Sequence, residues 1–204
     1  MDGTALATRR PGALRSLVDG LDELVAAEAD SARVAAGVAA LLEPALADTE
    51  LIEPQHREPY ADRYRQHLVH VDPDGRYSIV TLVWRPGHAT PIHDHQCWCV
   101  VGVWRGIERE TSYELRTDGE REWLAETSSS LARPGHVTAL VPPEEDIHKV
   151  ENAGDRLAIS LHVYGADIAR LGSSINHVFD EPVLLASMQT ATSVAWRDAR
   201  SVAG

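Results

Sequence analysis

The sequence GHATPIHDHQCWCVVGVWRG, residues 87–106, contains two histidines separated by one residue, His93 and His95. Successive side chains of a β-strand point to opposite faces, so an extended backbone here would direct both imidazoles to the same side. A third imidazole is available from His148, within PPEEDIHKVEN (142–152), which we expect on a neighbouring strand of the same barrel. Three histidine ligands leave coordination positions open for substrate and oxygen, which suits a catalytic metal better than a closed structural site.

The spacing of this segment matches a known pattern. The segment begins with Gly87 and, after five residues, has His93 and His95 with one residue between them. Cys99 follows after three more residues, and Gly106 after a further six. This succession resembles the first cupin motif throughout, although most cupins have a glutamate ligand at the position of Cys99.

A second motif lies further along the chain. His148 is followed after three residues by Asn152, which resembles the second cupin motif, with Glu-Glu-Asp before the segment's histidine in place of the usual glycine. The resemblance implies an all-β core with the cupin fold, a double-stranded β-helix or jelly-roll barrel, here accompanied by N-terminal helices.

Cys99 and the segment SLHVY (160–164) narrow the resemblance to the thiol dioxygenases, the cysteine dioxygenase family. The resemblance implies Fe(II) as the cofactor, with a small thiol and O2 as substrates. Its iron ligands would be His93, His95 and His148. A relay beside the metal would consist of Ser160, His162 and Tyr164. In some members a cysteine at the position of Cys99 is joined to this tyrosine by a thioether.

The residues support similar roles on physical grounds. Three neutral imidazoles leave the charge of the metal at +2, which favours an incoming thiol as thiolate. Ser160, His162 and Tyr164 are spaced by two and share a strand face, so a hydrogen-bonded row could fix the imidazole tautomer and present the phenol to bound oxygen. The alternatives are a metal-free cupin pocket, a buried pair satisfied by backbone groups for His162 and Tyr164, and simple packing for Cys99 and Cys97.

The identity of the thiol is ambiguous. Members that oxidise cysteine commonly hold its carboxylate with an arginine where this chain has Gln66, and a bacterial branch that includes mercaptopropionate dioxygenase has glutamine there. That branch usually carries glycine at the position of Cys99 and an arginine where Ser173 stands. Arg65 and Arg170 are candidate substitutes for the missing carboxylate clamp, and solvated surface positions are the alternative for both.

Three functions are compatible with these motifs. The first is an iron-dependent thiol dioxygenase that converts a small thiol of the cysteine or mercapto-acid type to a sulfinate. The second is a related cupin oxygenase that rearranges or over-oxidises a cysteine-derived substrate, for example to a sulfonamide. The third is a cupin that binds a ligand or metal without catalysis. The complete Ser-His-Tyr row favours an enzyme, and the mixture of Gln66, Cys99 and Ser173 predicts a divergent member.

Composition excludes several other classes. The chain has 204 residues and a formal net charge of −12, which argues against binding to nucleic acid or an anionic membrane. It contains no apolar run long enough to cross a bilayer, and its two cysteines do not form a secreted disulfide framework. These features predict a cytoplasmic enzyme whose oligomeric state the sequence does not indicate.

The hydrophobic pattern divides the chain into four parts. We expect a flexible tail over 1–11, a helical cap over 12–50, the catalytic barrel over 51–180 and a C-terminal extension over 181–204. Apolar residues recur at helical spacing in the cap, which we expect to pack outside the barrel. Short strands with turn signals follow from Arg65 onward. The pattern also predicts a loop over Thr127–Ser130 and helix or irregular structure in about the last thirty residues.

Overall fold

A computed structural model describes residues 12–119, 121–143 and 146–184 of the chain. The predicted tail at 1–11 and all but the first residues of the predicted C-terminal extension lie outside this part. The described strands are β1 (Arg65–Val71), β2 (Ser78–Trp84), β3 (His93–His95), β4 (Cys99–Arg105), β5 (Glu108–Asp118), β6 (Arg121–Ala132), β7 (Val137–Leu140), β8 (His148–Asn152), β9 (Ala158–Tyr164), β10 (Ile175–Val178) and β11 (Val183–Leu184). The helices are α1 (Ala13–Ala27), α2 (Ser31–Ala45), a 3-10 turn (Pro54–Arg57) and α3 (Ile168–Leu171).

The strands form two sheets. One sheet has five strands in the order β1-β2-β9-β4-β7, and the other has six strands in the order β10-β3-β8-β5-β6-β11. All pairings are antiparallel except the short contact between β11 and β6. Their inner faces meet around a common interior, as expected of the double-stranded β-helix, so the all-β cupin fold is confirmed.

Alternate side chains of β2 and β9 face opposite sides of the sheet, one side toward the helices and the other toward the barrel interior. Every residue of both strands is buried, as expected for inner strands covered on both faces. Ile159, Leu161 and Val163 pack into the same core as the helices, whereas the residues between them face the barrel interior. One strand therefore contributes both to the helical interface and to the wall of the interior.

The two long helices cover the outer face of the five-stranded sheet. Asp30 caps α2 by accepting a hydrogen bond from the backbone N–H of Arg33 at 2.9 Å. The apolar side of α2 then approaches β4 closely at Gly102, where a Cβ atom would lie 2.8 Å from Leu46 Cδ1 and 2.9 Å from Leu42 Cδ2. Burial of each large aliphatic side chain in this interface contributes about 1.5–3 kcal/mol to stability. None of the described helices combines the length and apolar character needed to cross a bilayer.

Two predictions of local structure were wrong. Thr127–Ser130 is not a loop, because it lies within β6, where Ser129 pairs with Thr111 of β5. The four residues are exposed, so neither of their faces carries the apolar alternation that marks a strand in sequence. The last thirty residues were also expected to contain no strand, yet Ile175–Val178 forms β10 and pairs with β3.

Candidate metal centre

Three histidine side chains converge inside the barrel. His93 and His95 extend from β3, and His148 lies opposite His93 in the antiparallel pairing of β3 with β8. Their candidate ligand nitrogens all lie within 4.8 Å of one another, and each side chain is no more than 5% exposed. The structure therefore brings together the predicted ligand set, which fits a single divalent ion.

A hydrogen-bond acceptor holds each of these rings by its Nδ1 atom. His93 Nδ1 lies 3.0 Å from the carbonyl oxygen of Pro91, and His95 Nδ1 lies 2.7 Å from Asp146 Oδ1. Since these acceptors carry no proton of their own, the proton belongs on Nδ1 and the Nε2 atoms are available to a metal. Burial lowers the pKa of His93 to about 3, followed by the repulsive charges of His148 and His95. His93 is therefore neutral near pH 7, as a ligand must be.

Glu110 is the hydrogen-bond acceptor that holds the third ring, that of His148. Its Oε1 atom lies 2.8 Å from His148 Nδ1. Burial raises the pKa of Glu110, but the hydrogen bond to His148 and the charge of that ring outweigh burial, so the pKa lies below its ordinary value. The carboxylate is thus ionised beside the ligand. Hydrogen-bonded carboxylates behind metal-binding histidines orient the rings and increase their basicity.

Sequence reasoning missed both carboxylates. Asp146 stands two residues before His148 and also accepts a hydrogen bond from the backbone N–H of His95 at 2.7 Å. The signal was the acidic Glu-Glu-Asp run where the second cupin motif usually has glycine. Glu110 is signalled more weakly, by its place on the strand that follows Gly106.

Ser160, His162 and Tyr164 form a hydrogen-bonded row on the inner face of β9. Ser160 Oγ lies 2.9 Å from His162 Nε2, and Tyr164 Oη lies 3.3 Å from His162 Nδ1. Burial lowers the pKa of His162 to about 3, with further lowering by the nearby histidines, and burial raises the pKa of Tyr164 well above its usual value. Both side chains are therefore neutral near pH 7. The Tyr164 ring centroid lies 6.4 Å from that of His95, so the row ends beside the metal cluster.

Cys99 lies next to the phenol end of this row. It pairs with Tyr164 in the register of β4 and β9, and cross-strand partners place their side chains on the same face. Its Sγ atom is 3.9 Å from His162 Nδ1, and burial raises the pKa of the thiol well above its usual value. Cys97 is half-buried and packs against the same interior cluster, and both cysteines are free thiols.

A small cavity of about 30 Å³ separates the three histidines from the row. Its lining includes four more residues with polar groups in their side chains, Tyr64, Gln66, Thr90 and Ser174. Its apolar wall includes the Trp84 ring, whose centroid lies 4.6 Å from that of Tyr64. Leu82, Val101, Val150 and Ile175 complete this wall. The cavity thus combines a metal-binding side, a hydroxyl side and an apolar surround.

The three predicted substrate-binding residues occupy different places. Gln66 lines the cavity. Its neighbour on β1, Arg65, extends to the other side of the strand, where its guanidinium lies 4.6 Å from the centre of the Tyr60 ring. Arg170 is exposed in α3. Among the described residues that line the cavity, none is an arginine or a lysine.

This fold and this site define a cupin whose barrel interior carries three buried histidines that could hold a metal ion. The family model described as "Cysteine dioxygenase type I" matches residues 7–171, and the chain therefore belongs to the cysteine dioxygenase type I family.

Individual relatives match a smaller part of the chain. Cysteine dioxygenase type 1 of Rattus norvegicus is 28% identical over 104 residues, which cover 50% of this chain and 50% of the relative. The same figures describe cysteine dioxygenase type 1 of Homo sapiens. The chain thus spans about half the length of the curated relatives it matches. A solved structure of a Klebsiella pneumoniae protein with a double-stranded beta-helix domain covers 59% of this chain and 92% of its own, with a TM-score of 0.42 and 16% identity.

Proposed function

We propose that the protein is an iron(II)-dependent thiol dioxygenase that oxidises the sulfur of a small thiol, of the cysteine or mercapto-acid type, to a sulfinate with O2. One observation carries the proposal: three histidines from one sheet face a tyrosine from the other across a cavity. Membership of the cysteine dioxygenase type I family supports it. When bound, iron(II) would favour the thiolate form of the substrate and supply the redox chemistry that activates O2.

The protein residues supply position, charge balance and exclusion of water. His93, His95 and His148 would hold the ion, and two carboxylates behind them, Asp146 and Glu110, would compensate its charge. The apolar side chains that line part of the cavity would reduce the water around the reacting sulfur. Tyr164, held by His162, can offer its hydroxyl hydrogen to an oxygen atom of the reactants in the cavity.

Gln66 is placed to select the substrate. Its amide can donate to a carboxylate or accept from an amine, and the hydroxyl of Tyr64 lines the same cavity. A carboxylate-bearing thiol would be held here by neutral donors rather than by a guanidinium fork. Placement in the glutamine-type branch depends on this residue and stays a prediction.

We also propose the Cys99–Tyr164 thioether, supported by the pairing of these two residues across β4 and β9. Joining Cys99 Sγ to the Tyr164 ring breaks the S–H bond and one ring C–H bond, and the two hydrogens with their electrons would pass to O2, giving H2O2. The intact mass of the iron-treated wild-type chain should then be lower by two hydrogens than the mass calculated from its sequence. Cys99→Ser and Tyr164→Phe should each show the unmodified mass. A wild-type chain of unmodified mass would contradict the crosslink.

Oxygen uptake by the iron(II)-loaded protein tests the main proposal. Cysteine, cysteamine, mercaptopropionate and mercaptosuccinate are offered in turn, and the mass of each product is recorded. We expect one of these thiols to be consumed with a gain of two oxygen atoms. Another mass change would favour the oxygenase that rearranges or over-oxidises its substrate. An iron-loaded protein that consumes no oxygen with any thiol would contradict the dioxygenase and favour a ligand-binding cupin.

A further inference from the structure

Glu108 is a buried acid that the proposed function leaves without a role. It lies at the start of β5, is 2% exposed, and shares a strand face with Glu110. Its Oε1 atom has no hydrogen-bond partner in the structure described. The carboxyl borders a second, smaller cavity of about 10 Å³, which is also lined by Glu110, His136 and Thr138. An unpartnered carboxyl oxygen at this depth is costly and calls for an explanation.

The other side of Glu108 faces the row on β9. Its carboxyl lies within hydrogen-bonding reach of the Ser160 hydroxyl and the Trp84 indole. The indole Nε1–H in turn donates to Ser160 Oγ at 3.3 Å. The hydrogen bonds of the row connect Tyr164, His162 and Ser160, and Glu108 lies next to the Ser160 end, where it borders the second cavity.

Counting hydrogens along this row gives two arrangements. A serine hydroxyl has one hydrogen to donate and two lone pairs, one of which accepts from Trp84. If Glu108 is ionised, it takes the Ser160 hydrogen. His162 must then donate from Nε2, so its Nδ1 accepts the hydrogen of Tyr164. The phenol hydrogen is in that case directed away from the metal cavity.

A neutral Glu108 permits the opposite direction for every bond in the row, because a carboxylic acid can donate a hydrogen bond whereas a carboxylate cannot. The carboxylic acid donates to Ser160, the Ser160 hydroxyl donates to His162 Nε2, and the His162 proton lies on Nδ1 and donates to the phenol oxygen. The hydrogen of Tyr164 then points away from His162, toward the cavity that Ser174 and the three clustered histidines also line; the Ser174 side chain lies within hydrogen-bonding reach of the phenol. Both arrangements satisfy Ser160, but only the second requires a donor at Glu108 and therefore a protonated carboxyl.

We propose that Glu108 is a positioning residue which, as a neutral carboxylic acid, directs the hydrogen bonds of the row so that Tyr164 offers its hydrogen to the metal cavity. The effect on catalysis rests on the proposed function. Burial raises the pKa of Glu108 to about 8, and the charge of Glu110 adds to this, while hydrogen bonds from Ser160 and Trp84 act in the opposite direction.

The titratable groups that face Glu108 come from three directions. Glu110 lies on its own strand, His136 lies across the second cavity, and His162 lies beyond Ser160. Among them, Glu110 is ionised and favours the neutral form of Glu108. The donated hydrogen bonds alone favour the charged form.

Infrared spectroscopy of the metal-free protein tests the protonation state without activity. Near pH 7, where ordinary aspartates and glutamates are ionised, we expect the carbonyl band of a neutral carboxylic acid and its loss as the pH rises through about 8. Glu108→Gln should lack the band, whereas Glu114→Gln, which changes an exposed acid on the same strand, should keep it. A wild-type spectrum without this band near pH 7 would overturn the proposal.

The pH profile of kcat tests the direction of the row. Wild-type kcat should fall above pH about 8. Glu108→Gln retains a donor toward Ser160, so it should keep most of the wild-type kcat near pH 7 and lose this alkaline fall. Glu108→Leu has similar volume without a donor, so its kcat should be roughly tenfold lower with KM little changed. An alkaline fall that persists unchanged in Glu108→Gln would overturn the proposal, whereas a wild-type protein that oxidises no thiol would contradict the proposed function and leave the infrared result standing.

Discussion

The two walls of the metal cavity treat their histidines differently. On the six-stranded sheet, His95 and His148 are each held by a carboxylate and His93 by a backbone carbonyl. These groups only accept hydrogen bonds, so the tautomer of each ring has one solution. On the five-stranded sheet, His162 lies between two hydroxyl groups that can donate or accept. A histidine that binds a metal needs its proton fixed on one ring nitrogen so that the other is free for the ion. A histidine between two hydroxyl groups can carry its proton on either nitrogen, so the direction of its hydrogen bonds can change.

The walls also differ in charge. Asp146 and Glu110 stand behind the three histidines, while the row on β9 consists of neutral side chains near pH 7. A bound dication would therefore be compensated from behind its ligands. Its cavity side would stay free of fixed negative charge, which favours the approach of an anionic thiolate. The following substitutions test the two walls separately.

His93→Ala removes a candidate ligand from the wall formed by the six-stranded sheet and should have the largest effect. With two of the three imidazoles left, we expect iron affinity to fall by more than about a hundredfold and activity to disappear with it. This exceeds the fall in affinity that is usual when a residue hydrogen-bonded to a ligand is replaced. Iron content after dialysis and oxygen uptake measure both. His88→Ala is the matched control, because His88 lies in the same segment outside the cluster. Retained iron and activity in His93→Ala would refute the ligand assignment.

Tyr164→Phe changes the wall formed by the five-stranded sheet and leaves the three histidines of the other wall in place. The variant should bind iron as the wild type does, because Tyr164 is not among the three clustered ligands. Its kcat should fall roughly a hundredfold if the phenol hydrogen stabilises the transition state. Tyr113→Phe, on β5 and outside the cavity lining, should leave kcat unchanged. Equal kcat values for Tyr164→Phe and the wild type would remove this hydroxyl from the mechanism.

Asp146→Asn changes the carboxylate that holds His95 on the side away from the cavity. An amide has one accepting oxygen, whereas Asp146 accepts from both the ring and the backbone N–H of His95 with separate oxygens. Iron affinity should therefore fall by about ten- to a hundredfold, as measured by competition with a chelator. Glu151→Gln, which alters a partly exposed ion pair on β8, serves as control. An unchanged affinity in Asp146→Asn would show that the charge behind His95 does not matter.

Asp72→Asn belongs to neither wall and should affect stability alone. The Asp72 carboxylate accepts three hydrogen bonds from Arg76 and one from Asp74 N, and the side-chain bond to Arg76 lowers its pKa to about 2. A lowered folded-state pKa means that this stability is present above the ordinary aspartate pKa and is lost as pH falls toward about 2. We expect a loss of about 1–2 kcal/mol near pH 7, measured by urea unfolding.

The pH dependence separates this effect from a general loss of packing. The difference in unfolding free energy between Asp72→Asn and the wild type should shrink as the pH approaches about 2. Asp74→Asn, an exposed acid in the same turn, should cost less. A change in iron affinity or kcat in Asp72→Asn would contradict the separation of this turn from the metal centre.

The histidine cluster and the row were predictable because each depends on local spacing. His93 with His95, and Ser160 with His162 and Tyr164, occupy alternate positions of single strands, so a period of two reveals their common face. The carboxylates behind the ligands depend instead on strand pairing. His148 meets Glu110 across 38 positions, and His95 meets Asp146 across 51. A local signal such as the Glu-Glu-Asp run can draw attention to an acid, but it does not show which histidine that acid meets.

Strands without an apolar face were the other failure. Thr127–Ser130 in β6 is exposed, and its polar composition resembles that of a loop. Ile175–Val178 is short and largely exposed, and it forms a strand because β3 is available for pairing. In both cases the partner strand decides the structure, so local propensity carries little information.

The pairing of β10 with β3 has a consequence for self-association. The Gln96 side-chain amide donates to the carbonyl oxygens of Ser173 and Ile175, and Asp94 accepts from the backbone N–H of His177. Without this segment, the three-residue strand that carries two candidate ligands would present unpaired N–H and C=O groups on its outer side. Such groups are a template for a strand from another molecule. Because β10 occupies them, the strand of the two candidate ligands offers no free edge on that side for intermolecular β-sheet formation.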